Sequence, residues 1–130
     1  MVTDFCRQSN LPYLLDAEDE WSDETKLFWN DRRFFQMLVQ HLIEVHGHRK
    51  IACLTGLPSC FQSEERLLGY RDALQAHGIP LRPEWECYGD FQRASGQAFA
   101  NRIVQGELER PDAIACANAA MALGVIDTLM

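Results

Sequence analysis

The sequence predicts an α/β fold, a parallel sheet flanked by helices, and three observations carry that prediction. From Arg32 onward, apolar stripes at helical spacing alternate with short apolar runs of strand length. Gly or Pro punctuates nearly every change of period, and the connections are short. Such alternation implies parallel strands joined by right-handed crossovers, with helices on the sheet faces.

The elements follow in chain order. Leu11–Leu15 and Lys26–Trp29 read as short strands separated by an acidic stretch from Asp16 to Glu24, which reads as a solvated loop. Phe35, Leu38, Val39, Leu42, Ile43 and Val45 then form one helical stripe, which Asn30 or Asp31 can cap and Gly47 can end. Ile51–Thr55 is an apolar run of strand length stopped by Gly56-Leu57-Pro58. A helix from about Gln62 to His77 turns Leu67, Tyr70 and Leu74 inward, with Gly78 and Pro80 beyond its end. Glu84–Tyr88 is a weaker strand, and a helix from about Arg93 to Gln105 closes at Gly106. Ala113–Ala117 is a third strand, and Ala119–Met130 is helical.

This order has a consequence for function. Open parallel sheets bind ligands beyond the carboxyl ends of their strands. Here those ends run into Gly56–Ser63, Gly89-Asp90-Phe91 and Asn118, which should meet along one edge. Arg66 lies near the start of the following helix, where a guanidinium suits hydroxyl pairs, carboxylates or phosphates. It is equally consistent with a surface arginine that pairs with Glu64, Glu65 or a neighbouring helix. Asn118 can cap the last helix or contact a ligand. Phe91 can stack on a ring or belong to the core, and Asp90 is expected to cap the helix after it.

Composition narrows the function classes. The net charge is −7, and residues 1–31 carry eight acidic side chains against two basic. Duplex binding needs clustered Lys and Arg, so the chain is not expected to grip nucleic acid by itself. The five cysteines lack a CxxC pair, and a reducing cytoplasm is the simpler reading. No basic and apolar leader follows Met1, and the longest apolar stretch, Ala113 to Ile126, falls short of the roughly 20 residues of a membrane span. A soluble cytoplasmic protein is expected. His41, His46, His48 and His77 show no metal-ligand spacing. No GxSxG, P-loop or GxGxxG is present, and Ser59 and Cys60 have no assigned histidine. No enzyme, metal or cofactor is expected.

Four segments in order resemble the ligand-binding domain of LacI/GalR-type transcriptional regulators, the periplasmic-binding-protein-like type I fold. They are His41-Leu-Ile-Glu-Val-His-Gly-His-Arg-Lys-Ile-Ala52, Arg66-Leu-Leu-Gly-Tyr-Arg-Asp-Ala-Leu74, Gly89-Asp-Phe91 with Gly96, and Pro111 to Gly124. The resemblance covers about Leu11 to Met130 and implies a Rossmann-like lobe. It makes Arg66 the effector contact, Phe91 the stacking aromatic and Asn118 a polar contact, with Cys60 and Gln62 as selecting loop positions. It implies a small-molecule effector such as a sugar or nucleobase, a homodimer, and DNA contact only through a domain outside this chain. Residues 1–29 are then a remnant of a first lobe and 30–130 most of a second, so that the chain alone should bind effector weakly and self-associate. Two departures stand out. Ala119 replaces a usual Asp, and the family's Asp-Asn before the first helix appears as Asn30-Asp31.

Two other readings remain. The spacing of Glu44-Val-His-Gly, one residue longer than in the commonest regulators, looks like sensor domains of GGDEF-type signalling proteins. A stand-alone doubly wound enzyme or receiver-type domain is the other, although a receiver needs an acidic cluster that Thr55-Gly56 and Asn118 do not supply. From position alone, Arg66→Ala should cost binding and leave thermal stability little changed.

Overall fold

The computed structural model describes residues 30–130 together with two short strands, β1 (Leu15–Asp16) and β2 (Lys26–Leu27). The chain divides into two compact units, Met1–Asn30 and Asp31–Met130. In the first, β1 and β2 pair in parallel, Leu15 opposite Lys26. The rest of both expected strands and most of the acidic loop lie outside the described residues.

The second unit follows the expected alternation. Its elements are α1 (Asp31–Glu44), β3 (Ile51–Thr55), α2 (Phe61–Ala76), a 3-10 turn (Pro83–Trp85), β4 (Glu86–Tyr88), α3 (Arg93–Val104), β5 (Ala113–Cys116) and α4 (Ala119–Leu129). The strands are parallel in the order β4-β3-β5, with Ile51 opposite Ala113 and Thr55 opposite Tyr88. As the central strand, β3 is buried throughout, which is why it reads as a continuous apolar run without alternation.

The period of two along β3 divides the core. Ile51 and Cys53 face α1 and α2 in a cluster with Phe35, Val39, Leu67, Tyr70 and Leu74. Ala52 and Leu54 face α3 and α4, with Trp85, Phe99, Ile103 and Met121. The Tyr70 hydroxyl is satisfied inside the first cluster by donating to the Ile51 carbonyl, at 2.6 Å. On each face, glycine lets two helices touch. A Cβ at Gly69 would stand 2.3 Å from the Arg32 carbonyl oxygen, and one at Gly96 2.0 Å from that of Met121.

Three expectations are corrected. Leu38 and Val45 do not belong to the buried stripe, being 43% and 66% exposed. The contact of α1 runs along Phe35, Val39 and Ile43, a narrower band than the apolar residues mark out. The strand expected over Glu84–Tyr88 begins only at Glu86, because Pro83 starts a 3-10 turn that buries Trp85. The Trp85 indole N–H donates to the Glu109 carbonyl, while Arg82 lies 3.9 Å over the ring. Finally, Asp90 does not cap α3. Its Oδ1 accepts from the Gln92 amide at 2.9 Å in a local turn, and Gln92 occupies the cap position without a side-chain bond.

His77, at the end of α2, offers a pH test of this unit. Nδ1–H donates to the Ala73 carbonyl at 2.8 Å and Nε2 lies 2.9 Å from Glu44 Oε1, so both ring nitrogens meet acceptors. The carbonyl bond first, and then Glu44, raise its pKa above the usual 6.5. A raised folded-state pKa contributes stability fully below the unfolded value, and that contribution is lost as pH rises through the folded value. NMR titration should therefore place His77 above 6.5, and Glu44→Gln should bring it down.

Candidate functional site

The helices define where the chain changes direction. After β3 it runs through α2 on one face, whereas after the neighbouring β5 it runs through α4 on the other. Adjacent strands with connections on opposite faces open a crevice at their carboxyl ends, the topological switch point. Arg66 spans it. From the second turn of α2 its Nη1 donates to the Ala117 carbonyl just past β5, at 2.9 Å. Nε and Nη2 reach Asp31 Oδ1 at 3.4 and 3.3 Å, long bonds within an ion pair whose side chains are 20% and 13% exposed. Neither Glu64 nor Glu65 pairs with it; Glu64 instead accepts from the Tyr88 hydroxyl at 3.0 Å.

Of the two roles that the sequence left open for Asn118, the helix cap is the one seen, and its amide also bonds within the chain. Its Oδ1 accepts from the Met121 amide at 3.0 Å, capping α4. Its Nδ2 donates to the Phe91 carbonyl at 2.8 Å. Phe91 is half-buried with a φ of 66°, and Ser59 in the loop after β3 has a φ of 63°. Left-handed backbone costs a residue with a Cβ of order 1–2 kcal/mol. Both such residues lie in loops at the carboxyl edge, and the Asn118 amide helps hold Phe91. The Phe91 ring lies over Gly56, so close that a Cβ there would stand 2.0 Å from Cζ.

Cys60 and Gln62 flank the start of α2, both half-buried. Cys60 occupies the cap position without a side-chain bond. Cys116, at the end of β5, has its thiol pushed up to about 11 by burial and is no thiolate at neutral pH. Among the described residues, no group of three or more His, Cys, Asp or Glu is placed to hold a metal ion. A cavity of about 210 Å³ lies at the opposite end of the sheet, against Arg49, Lys50, Tyr70 and Trp85. It is remote from these groups, and the switch point is the better candidate.

Three residues were not nominated from the sequence. Asp31 was read only as a helix cap, yet its carboxylate holds Arg66. Thr55 is buried and donates to the Ser63 carbonyl at 2.7 Å. Ser63 Oγ is buried without a hydrogen-bond partner among the described residues. A polar residue ending a buried strand and another in the first turn of the helix after it were the available signal for these last two.

A parallel sheet whose switch point carries an arginine, an aromatic and an amide has the layout of a doubly wound α/β binding domain. The chain belongs to the family of periplasmic binding protein-like domains, which residues 39–130 match. The HTH-type transcriptional repressor PurR of Vibrio parahaemolyticus is 32% identical over 95% of this chain. The probable repressor ExuR of Bacillus subtilis is 29% identical over the same share. A sugar-binding LacI-family regulator from Escherichia coli, complexed with phosphate, superimposes with a TM-score of 0.79 at 27% identity. That match covers 98% of this chain and 46% of the other. These relatives bear out the resemblance to LacI/GalR-type ligand-binding domains. The chain spans 36% and 37% of the lengths of the two repressors. Among the described residues, no helix is long and apolar enough to cross a membrane.

Proposed function

We propose that this chain is the effector-sensing part of a LacI/GalR-type transcriptional regulator. It binds a small polar ligand, such as a sugar or nucleobase, at the carboxyl edge of its sheet and does no chemistry on it. DNA is contacted through a domain outside this sequence, in the cytoplasm. Residues 1–29 are then a remnant of the first lobe and 30–130 most of the second. A homodimer is supported by the apolar side of α4, where Leu123 and Ile126 are exposed.

One observation carries this reading. Arg66, Phe91 and Asn118, nominated separately along the chain, converge at the switch point: Arg66 bonds to Ala117, and Asn118 bonds to Phe91. Polar groups fixed by hydrogen bonds, with an aromatic at the same edge, suit orientation of a ligand. The test is a thermal-shift screen of sugars, nucleobases and amino acids on the complete gene product. A true effector at a hundred times its Kd should stabilise the protein by about 2.7 kcal/mol. Operator affinity should change with the same compound. A screen without any stabilising compound, or one whose compound is consumed, counts against the proposal.

Phe91 separates ligand contact from core packing. Phe91→Leu should weaken effector binding, while the melting temperature without ligand falls only slightly because the ring is half-buried over Gly56. A large fall without ligand, with affinity unchanged, assigns Phe91 to the core instead.

A further inference from the structure

We infer that Asp31 sets the ligand class of this edge: by neutralising Arg66 in advance, it makes the site take neutral ligands with hydroxyl or carbonyl groups and turn away carboxylates and phosphates. The word ligand here rests on the effector-sensing reading; the pairing of the arginine with Asp31 does not.

The pairing follows from helix packing. Gly69, three residues after Arg66, lets α2 approach the backbone of α1 at Arg32, next to Asp31. The acid at the head of α1 is thereby brought against the guanidinium, and both side chains are largely shielded from solvent. Charges so placed are poorly screened by salt. Sequence order contributes too. The acid stands second in Asn30-Asp31, which puts it in the first turn of the helix.

Donor accounting then defines what can bind. A guanidinium has five N–H groups, and Arg66 uses three of them, two on Asp31 and one on the Ala117 carbonyl. One N–H on each Nη remains uncommitted among the described residues. Asp31 Oδ1 is engaged, and no bond within the described residues occupies Oδ2. A hydroxyl can accept from an Nη and donate to Oδ2, whereas a carboxylate can do only the first and meets the negative charge. Among the described residues, Arg32, Arg71 and Arg93 are already paired, with Asp72, Glu86 and Asp127.

Sulfate, a probe that needs no known effector, tests the charge claim on the whole chain. Followed by the NMR signal of the Arg66 Nε–H at constant ionic strength, sulfate should leave the natural chain unperturbed. Asp31→Asn should bind it at least about ten-fold more tightly, since an unpaired guanidinium forms charge-assisted bonds to such oxyanions. Asp31→Glu, which keeps the charge, should stay insensitive and also controls for any effect on folding. Equal sulfate binding by the natural chain and Asp31→Asn overturns the inference. On the complete gene product, glucose against glucuronate and galactose against galacturonate extend the test. The neutral member of a pair should bind better, and Asp31→Asn should shift the ratio towards the acid by about ten-fold. A preference of the natural protein for the acid overturns the inference. If no compound of the screen binds at all, the effector-sensing proposal fails while the sulfate result still decides the role of Asp31.

Discussion

Replacing Gly96 or Gly124 with alanine is expected to destabilise the second unit by roughly 2 kcal/mol each, near the middle of the range for overpacking. Alanine is intrinsically better than glycine in a helix by about 1 kcal/mol, so these changes are favourable if only the helix itself counts. Contact between the helices reverses the sign. A Cβ at Gly96 would stand 2.0 Å from the Met121 carbonyl oxygen, and one at Gly124 2.0 Å from that of Arg93. Both obstacles are backbone, which no rotamer change can move, so α3 and α4 must separate. One separation relieves both clashes. The double variant should therefore cost clearly less than the sum of the two single changes, a coupling that urea unfolding of all three proteins would measure. The consequence reaches the candidate site, because α3 follows the Phe91 turn and α4 starts at Asn118. Pulling the helices apart should stretch the Asn118–Phe91 bond and weaken effector binding. Two single variants as stable as the natural chain would show that the helices do not meet so closely.

The second large effect is expected at Arg66. Loss of its charged hydrogen bonds to a ligand should weaken effector binding by roughly ten- to a hundred-fold, corresponding to about 1.5–3 kcal/mol. Unlike the expectation from position alone, stability should also fall. Arg66→Ala leaves the Asp31 carboxylate without its partner and the Ala117 carbonyl without a donor. Breaking a fully buried pair costs about 3–5 kcal/mol; with both side chains partly exposed, about 1–3 kcal/mol is expected here. Adding Asp31→Asn should recover part of that stability, since no uncompensated charge then remains, but it should not recover binding. Arg66→Lys, which keeps the charge and loses the planar fork, should also fail to restore binding. Thermal unfolding and calorimetry on the same variants separate the two effects. Unchanged affinity in Arg66→Ala removes this residue from the site.

Much of this was legible along the chain because it depends on local chemistry. Strand-length apolar runs at Ile51–Thr55 and Ala113–Cys116, glycines after α1 and α2, and the helical spacing of Leu67, Tyr70 and Leu74 specify the elements, and their alternation specifies a parallel sheet. The carboxyl-edge rule then led to Arg66, Phe91 and Asn118 as candidates. Local chemistry could not say what each of these touches. That Asp31 meets Arg66, 35 residues away, depends on how closely two helices approach at Gly69. The exposure of Leu38 and Val45 likewise depends on which band of α1 its neighbour covers. Phe91 in left-handed backbone over Gly56, held by an amide from another strand's end, has no signature in its own residue type. Spacing along a chain records which side of an element is apolar. Partners distant in sequence are selected by the approach of backbones in space, and at this edge that approach decides the charge a ligand meets.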